Sequence, residues 1–190
     1  SYGHGITTTP IQLAKGYAIL TNGGYDVKPT LVKEKFPSLK KKRILNKDVS
    51  NQMNKILRKV VTHGTASLSD VEGYEVGGKT GTAQIVENGV YTNKKINTCA
   101  SIFPSSDPTY DLEILLEDTN LSKDYVYKYR NKPGSYKGTP FNTAGWTSVE
   151  VTGNIIDRIG PSLSLIHLSE PTRRVFISDA VFGLKRGGGG

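Results

Sequence analysis

The chain has 190 residues, with 25 Lys and Arg against 17 Asp and Glu, a net charge of +8 at pH 7. That length argues for one domain, and a single Cys with three scattered His excludes a disulfide framework and offers no metal-ligand spacing. The positive balance suits an anionic neighbourhood such as a membrane surface or cell wall, and equally nucleic acid, although the basic run Lys40 to Arg43 lacks the interleaved aromatics of a nucleic-acid groove.

Thr9-Pro10-Ile11-Gln12 predicts a capped helix start, with Thr at the N-cap, Pro at the first helical position and Gln reaching back. Ile11, Ala14, Ala18 and Leu13, Tyr17, Leu20 mark its apolar side, and Asn22-Gly23-Gly24 closes it. Asn46 caps a second helix with Val49, Met53, Ile56, Leu57, Val60 and Val61 inward. It stops at Gly64, with His63 at a terminus that favours a cation.

Strands are expected near 74–86, 90–92, 97–103 and 110–117, with Asn88-Gly89 turning the first pair into a hairpin. Cys99, beside Ala100 and Ile102, reads as a small buried hydrophobe. Residues 119–142, rich in Tyr, Lys, Asn, Gly and Pro, read as a long loop. A last helix starts near Thr147 and uses Val149, Val151, Ile155, Ile156 and Ile159. Helices flanking an antiparallel sheet place the chain in the α+β class.

Residues 73–84 satisfy two unrelated motifs. Gly73 to Thr80 fits the phosphate-loop pattern G-x-x-x-x-G-K-[ST], and Lys79-Thr80-Gly81 is the K-T-G triplet of penicillin-recognising serine enzymes. A phosphate loop needs a buried strand before it and a helix opening at the Lys. Ala66 to Glu72 is too polar for such a strand, and Gly81 starts a helix poorly. Lys79 is therefore expected on a strand that turns back at Asn88-Gly89.

On that reading Tyr2-Gly3-His4-Gly5, Ile6 to Tyr17, Asn22-Gly23-Gly24, Pro29, Val76 to Gln84 and Ala100-Ser101-Ile102-Phe103-Pro104 together resemble the C-terminal half of a class B penicillin-binding protein, the cell-division type of peptidoglycan transpeptidase above all. The resemblance covers about residues 1–161. It implies a penicillin-binding protein or β-lactamase-like fold whose nucleophile-bearing helical half is missing. Of the three motifs that converge in the family's cleft only Lys-Thr-Gly is present. Ser38-Leu39-Lys40-Lys41 fits Ser-x-x-Lys formally, but it lies downstream of the Tyr-Gly-His-Gly segment, whereas the nucleophile precedes it. The expectation is a chain that starts after its nucleophile, with a membrane anchor upstream, periplasmic exposure and little stability alone.

The resemblance assigns Lys79 as the catalytic cation near the carboxylate of a peptidoglycan stem peptide ending in D-Ala-D-Ala. Thr80 and Thr82 offer hydroxyls, Gly81 allows close approach, and the Thr82 N–H is an oxyanion-hole donor, a contact typically worth about 3 kcal/mol of barrier. Strand alternation sends Lys79 and Gly81 to one face and the threonines to the other. Tyr2 and His4 would line the cleft mouth, although the same residues also suit a flexible loop with a solvated imidazole. The family implies β-lactams as inhibitors and divisome proteins as partners, with no cofactor, metal or nucleic acid. Alternative readings are a penicillin-sensing receptor domain, which shares these motifs, and the phosphate-loop nucleotide-binding protein.

After Gly160-Pro161 the text changes character. Residues 162–190, ending in four Gly, resemble no part of the family and look like a translated sequencing adapter; a Gly-ended C-terminal extension is the other reading. Without this tail, which holds four basic and two acidic residues, the net charge is +6.

Overall fold

The computed structural model describes residues 8–32, 42–120, 122–127, 134–138 and 141–169, the last six by backbone course only. Helix α1, Pro10–Thr21, opens with the expected box: Thr9 accepts from the Gln12 N–H, and the Gln12 side chain accepts from the Thr9 N–H at 2.9 Å. Two orphan donors are satisfied reciprocally, so the start point is set locally. Gly23 and Gly24, both with positive φ, turn the chain out of the helix.

Helix α2, Lys47–His63, is capped by the Asn46 side chain. Its buried stripe is Ser50, Asn54, Leu57 and Val61, whereas Val49 and Ile56, expected inward, are exposed. The reason lies at the N-terminal end, where α2 packs on the end of α1 through polar contacts. Ser50 Oγ accepts from the Gly23 N–H at 2.9 Å, and Asn54 Nδ2 donates to the Thr21 carbonyl at 3.1 Å. Those bonds rotate the polar positions inward and leave neighbouring aliphatics outside.

Strands β1 (Gly77–Glu87), β2 (Val90–Phe103) and β3 (Tyr110–Glu117) form an antiparallel sheet in the order β1-β2-β3. Asn88 (φ 52°) and Gly89 (φ 79°) form the two-residue turn between β1 and β2, with both central residues at the positive φ that matches strand twist. The strand expected from residue 74 begins only at Gly77, because Gly73 and Glu75 take positive φ. The two strands expected at 90–92 and 97–103 are one. Lys95 pairs with Gln84 and Tyr91 with Val86, and the residues between them stay extended across a register shift at Ile85, where Thr92 Oγ1 donates to the Ile85 carbonyl at 2.9 Å.

Segment 119–142 is not wholly loop: β4 (Val126–Tyr127) and β5 (Tyr136–Lys137) pair within it. A 3₁₀ turn at Ala144–Trp146 leads into α3, Ser148–Ser169, which runs through Gly160 and Pro161. Val149 and Ile156 of α3 are buried in the main core with Val61, Ala66, Val76, Cys99, Phe103, Leu112 and Ile114; Leu163 packs against this cluster, while Ile159 is exposed. Burying aliphatics and Phe103 on one sheet face supplies the main driving force, about 1.5 to 3 kcal/mol for each large side chain.

The other sheet face meets α2 and the half-buried α1, whose apolar residues are partly covered and whose Ile11 is exposed. Both outer edges, β1 and β3, lack a further strand among the described residues. No helix in those residues is long and apolar enough to cross a membrane.

Candidate active site

The site is built on the first half of β1. Arg58 on α2 donates through Nη1 to the Val76 carbonyl at 2.9 Å and to Asp70 Oδ1 at 2.7 Å, which pins the residue before the strand. Gly77 and Gly78 then let the strand pass close to its neighbours. A Cβ on Gly77 would meet α2 main chain and Ile102 at 3.3 Å, and one on Gly78 would lie 2.9 Å from the Ala100 carbonyl oxygen. The glycine pair is therefore a packing requirement as well as part of a motif.

Lys79 follows, extended and exposed on the open edge strand, paired across β2 with Ala100. Its Nζ donates to the Thr80 carbonyl at 2.5 Å. No helix begins here: β1 continues to Glu87 and turns back. That excludes the strand–loop–helix geometry of a phosphate loop.

Thr80 and Thr82 share the sheet face turned to the 3₁₀ turn before α3, as alternation requires. Thr80 Oγ1 lies 2.8 Å from Thr65 Oγ1, just past the end of α2. When Thr65 is the donor of that bond, the Thr80 hydroxyl proton is free for a ligand. Thr82 Oγ1 has no such freedom. It accepts from the Ala144 N–H at 3.0 Å and donates to Asn97 Oδ1 at 3.2 Å. What Thr82 can offer a ligand is its main chain. Gly81 faces Thr98, whose Oγ1 would be 2.5 Å from an added Cβ.

Tyr2 and His4, the two cleft-mouth contacts expected from sequence, lie outside the described residues, as does Ser38. Cys99 is buried and free; desolvation pushes its thiol up to about 11, partly offset by a hydrogen bond with Thr152. Among the described residues no three His, Cys, Asp or Glu gather as a metal site.

The sequence model of the penicillin binding protein transpeptidase domain matches residues 1–137. The chain belongs to this family. The transpeptidase domain's relatives include the probable peptidoglycan D,D-transpeptidase FtsI of Caulobacter vibrioides, 29% identical over 182 residues, covering 90% of this chain and 28% of that protein. Among solved structures, the transpeptidase domain of Burkholderia pseudomallei penicillin-binding protein 3 superposes with a TM-score of 0.66 at 21% identity, over 86% of this chain and 45% of that one. Penicillin-binding protein 3 of Mycobacterium tuberculosis in complex with aztreonam gives a TM-score of 0.63 at 22% identity, over 86% and 37% respectively. These superpositions establish an α+β transpeptidase fold, as the sequence resemblance implied. The chain spans about a third or less of the curated relatives it matches.

Sequence reasoning missed two features of this transpeptidase segment. Asp111 and Glu113 on β3 bury carboxylate oxygens that find no hydrogen-bond partner: both of Asp111 and Oε1 of Glu113. Desolvation pushes Asp111 up to about 7, and desolvation with the Asp111 charge pushes Glu113 up to about 8. Tyr17 of α1 lies against them, raised to about 12 by burial and then by these carboxylates. The second feature is Asn97, fully buried in β2. Its only signal in the sequence is an amide among β-formers, in a strand otherwise read as core.

Proposed function

We propose that residues 1–161 are the C-terminal part of a peptidoglycan D,D-transpeptidase of the cell-division type, acting on stem peptides ending in D-Ala-D-Ala. The observation that carries this reading is the Lys79-Thr80-Gly81-Thr82 run, extended along the open edge of the sheet in a transpeptidase fold. Family membership and the aztreonam complex of the mycobacterial structure support it.

In the complete enzyme a serine from a preceding segment attacks the carbonyl of the penultimate D-Ala. The terminal D-Ala leaves with a proton, and an amine of a neighbouring stem peptide then displaces the serine. Lys79 supplies a fixed cation on the groove edge, raising the local potential for the substrate carboxylate and for proton transfer at the serine. The Thr80 hydroxyl, held by Thr65, donates to that carboxylate. Gly81 leaves room for the peptide backbone, and the Thr82 N–H points its dipole at the developing oxyanion. Tyr2 and His4 contact the substrate at the cleft mouth. β-Lactams are trapped as acyl-enzymes by the same residues.

The preceding segment would also carry the membrane anchor, placing the domain on the periplasmic face of the inner membrane beside divisome proteins. Residues 162–190 take no part in this function, and their origin as translated adapter is decided by sequencing the parent DNA from an independent library. The function is tested on the complete protein by labelling with a fluorescent penicillin. Lys79→Ala should slow acylation about 10²- to 10³-fold, the scale for losing one oxyanion-type electrostatic contact. Labelling of the folded variant at the unaltered rate refutes the role given to Lys79, and no labelling of the wild type refutes the reaction.

A further inference from the structure

We infer that Asn97 is a positioning residue for this site, acting through the Thr82 hydroxyl at the centre of a closed polar clamp; the inference rests on the transpeptidase reading of β1. Asn97 is directly opposite Thr82 across the β1–β2 pair and is 0% exposed. Its Oδ1 accepts from Thr82, while its Nδ2 donates to Asn142 Oδ1 at 2.6 Å and to Thr119 Oγ1 at 3.3 Å. Thr119 Oγ1 donates to Asn142 Oδ1 at 2.8 Å, and Asn142 Nδ2 returns to the Thr119 carbonyl at 3.2 Å. From the other side the Ala144 N–H donates to Thr82 Oγ1 at 3.0 Å.

Both N–H groups of the Asn97 amide are used, and the Thr82 hydroxyl both donates and accepts. Asn97 is fully buried, whereas Thr119 and Asn142 are partly covered and Thr82 is exposed, so an arrangement that drops these bonds leaves the Asn97 amide unpaired, and that cost holds the network together. The residue it grips is the last of the Lys-Thr-Gly-Thr run. Among the described residues β1 is an edge strand with β2 on one side only, so pairing to β2 alone leaves it free to shift outward. The clamp ties it instead to the end of β3 and to the turn that starts α3. The Thr82 N–H, an oxyanion donor, thereby keeps one position before and during the reaction, which is the condition for electrostatic preorganisation.

The test is a double-mutant cycle on acylation of the complete protein by a fluorescent penicillin. Asn97→Ala and Thr82→Val each remove one side of the clamp, and Thr82→Val retains the main-chain N–H. Each is expected to lower the acylation rate constant about tenfold, equivalent to about 1.4 kcal/mol, with penicillin affinity before acylation little changed. Because both act through one hydroxyl, the double variant should also be about tenfold slower rather than a hundredfold. Thr82→Ser, which keeps the hydroxyl, should restore the rate. Acylation of Asn97→Ala at the wild-type rate, or losses that multiply in the double variant, overturns the inference. Should Asn97→Ala not fold, Thr82→Val against Thr82→Ser still decides: equal rates overturn it. A wild type that takes no penicillin instead refutes the transpeptidase reading and is recognised before any variant is made.

Discussion

Raising the pH is expected to destabilise this fold through Asp111 and Glu113. Both oxygens of Asp111 and Oε1 of Glu113 are buried without a hydrogen-bond partner, so the fold prefers both carboxyls neutral. Moving Asp111 from 3.8 to about 7 corresponds to roughly 4 kcal/mol between its protonation states, and moving Glu113 from 4.5 to about 8 to roughly 5 kcal/mol. The Glu113 value already contains its repulsion by Asp111, and neither side chain is wholly shut from water, so a combined loss of about 2 to 4 kcal/mol is expected. Because the folded values lie above the unfolded ones, the folded state holds more protons in between. Stability is then fully present below about pH 4 and is lost as pH rises through about 7 and 8. Net charge falls towards zero over the same range, the isoelectric point being about 9.5, and weaker self-repulsion would act in the opposite direction. Urea denaturation at about pH 5, 7 and 9 measures the effect, and Asp111→Asn with Glu113→Gln should flatten it and raise stability at about pH 9. A wild-type midpoint that stays level or rises with pH refutes the reasoning, as does a double variant that keeps the loss.

Gly24 offers a second stability test. Its φ is +85°, and an added Cβ would lie 2.1 Å from the Leu45 carbonyl oxygen, so Gly24→Ala should cost more than about 2 kcal/mol, read as a lowered denaturation midpoint. An unchanged midpoint would mean that the turn between α1 and α2 rebuilds freely. The 190-residue chain itself should take up no fluorescent penicillin; a labelled peptide containing Ser38 would show that Ser38-Leu39-Lys40-Lys41 is a nucleophile motif after all.

Much of the fold was legible because its determinants are local. Thr9 and Gln12 satisfy each other within one helical turn, Asn46 caps α2 two residues on, and Asn88-Gly89 sets the β1–β2 turn by its own backbone preferences. Each works in a short stretch of chain, so the text alone identifies it. The strand placement of Lys79 follows from the same kind of cue, since Gly81 disfavours a helix start and the hairpin turn lies close behind.

What lies on each face of the sheet was not legible. Alternation along Asp111, Leu112, Glu113 and Ile114 separates acids from aliphatics, yet only the packing of α1 decides that the acids are buried too. Val49 and Ile56 fit an inward stripe by periodicity and are exposed because Ser50 and Asn54 bind the end of α1.

By itself, then, the amino-acid text determined the helix starts, the hairpin, the α+β class and the identity of the Lys-Thr-Gly strand, all from interactions spanning a few residues. Tertiary structure alone decided that the Thr82 hydroxyl is occupied by Asn97 and by an N–H 62 positions away, and that Asn97 reaches a partner 45 positions on. A hydrogen bond between distant residues depends on how elements pack, and no local pattern records which donor will arrive.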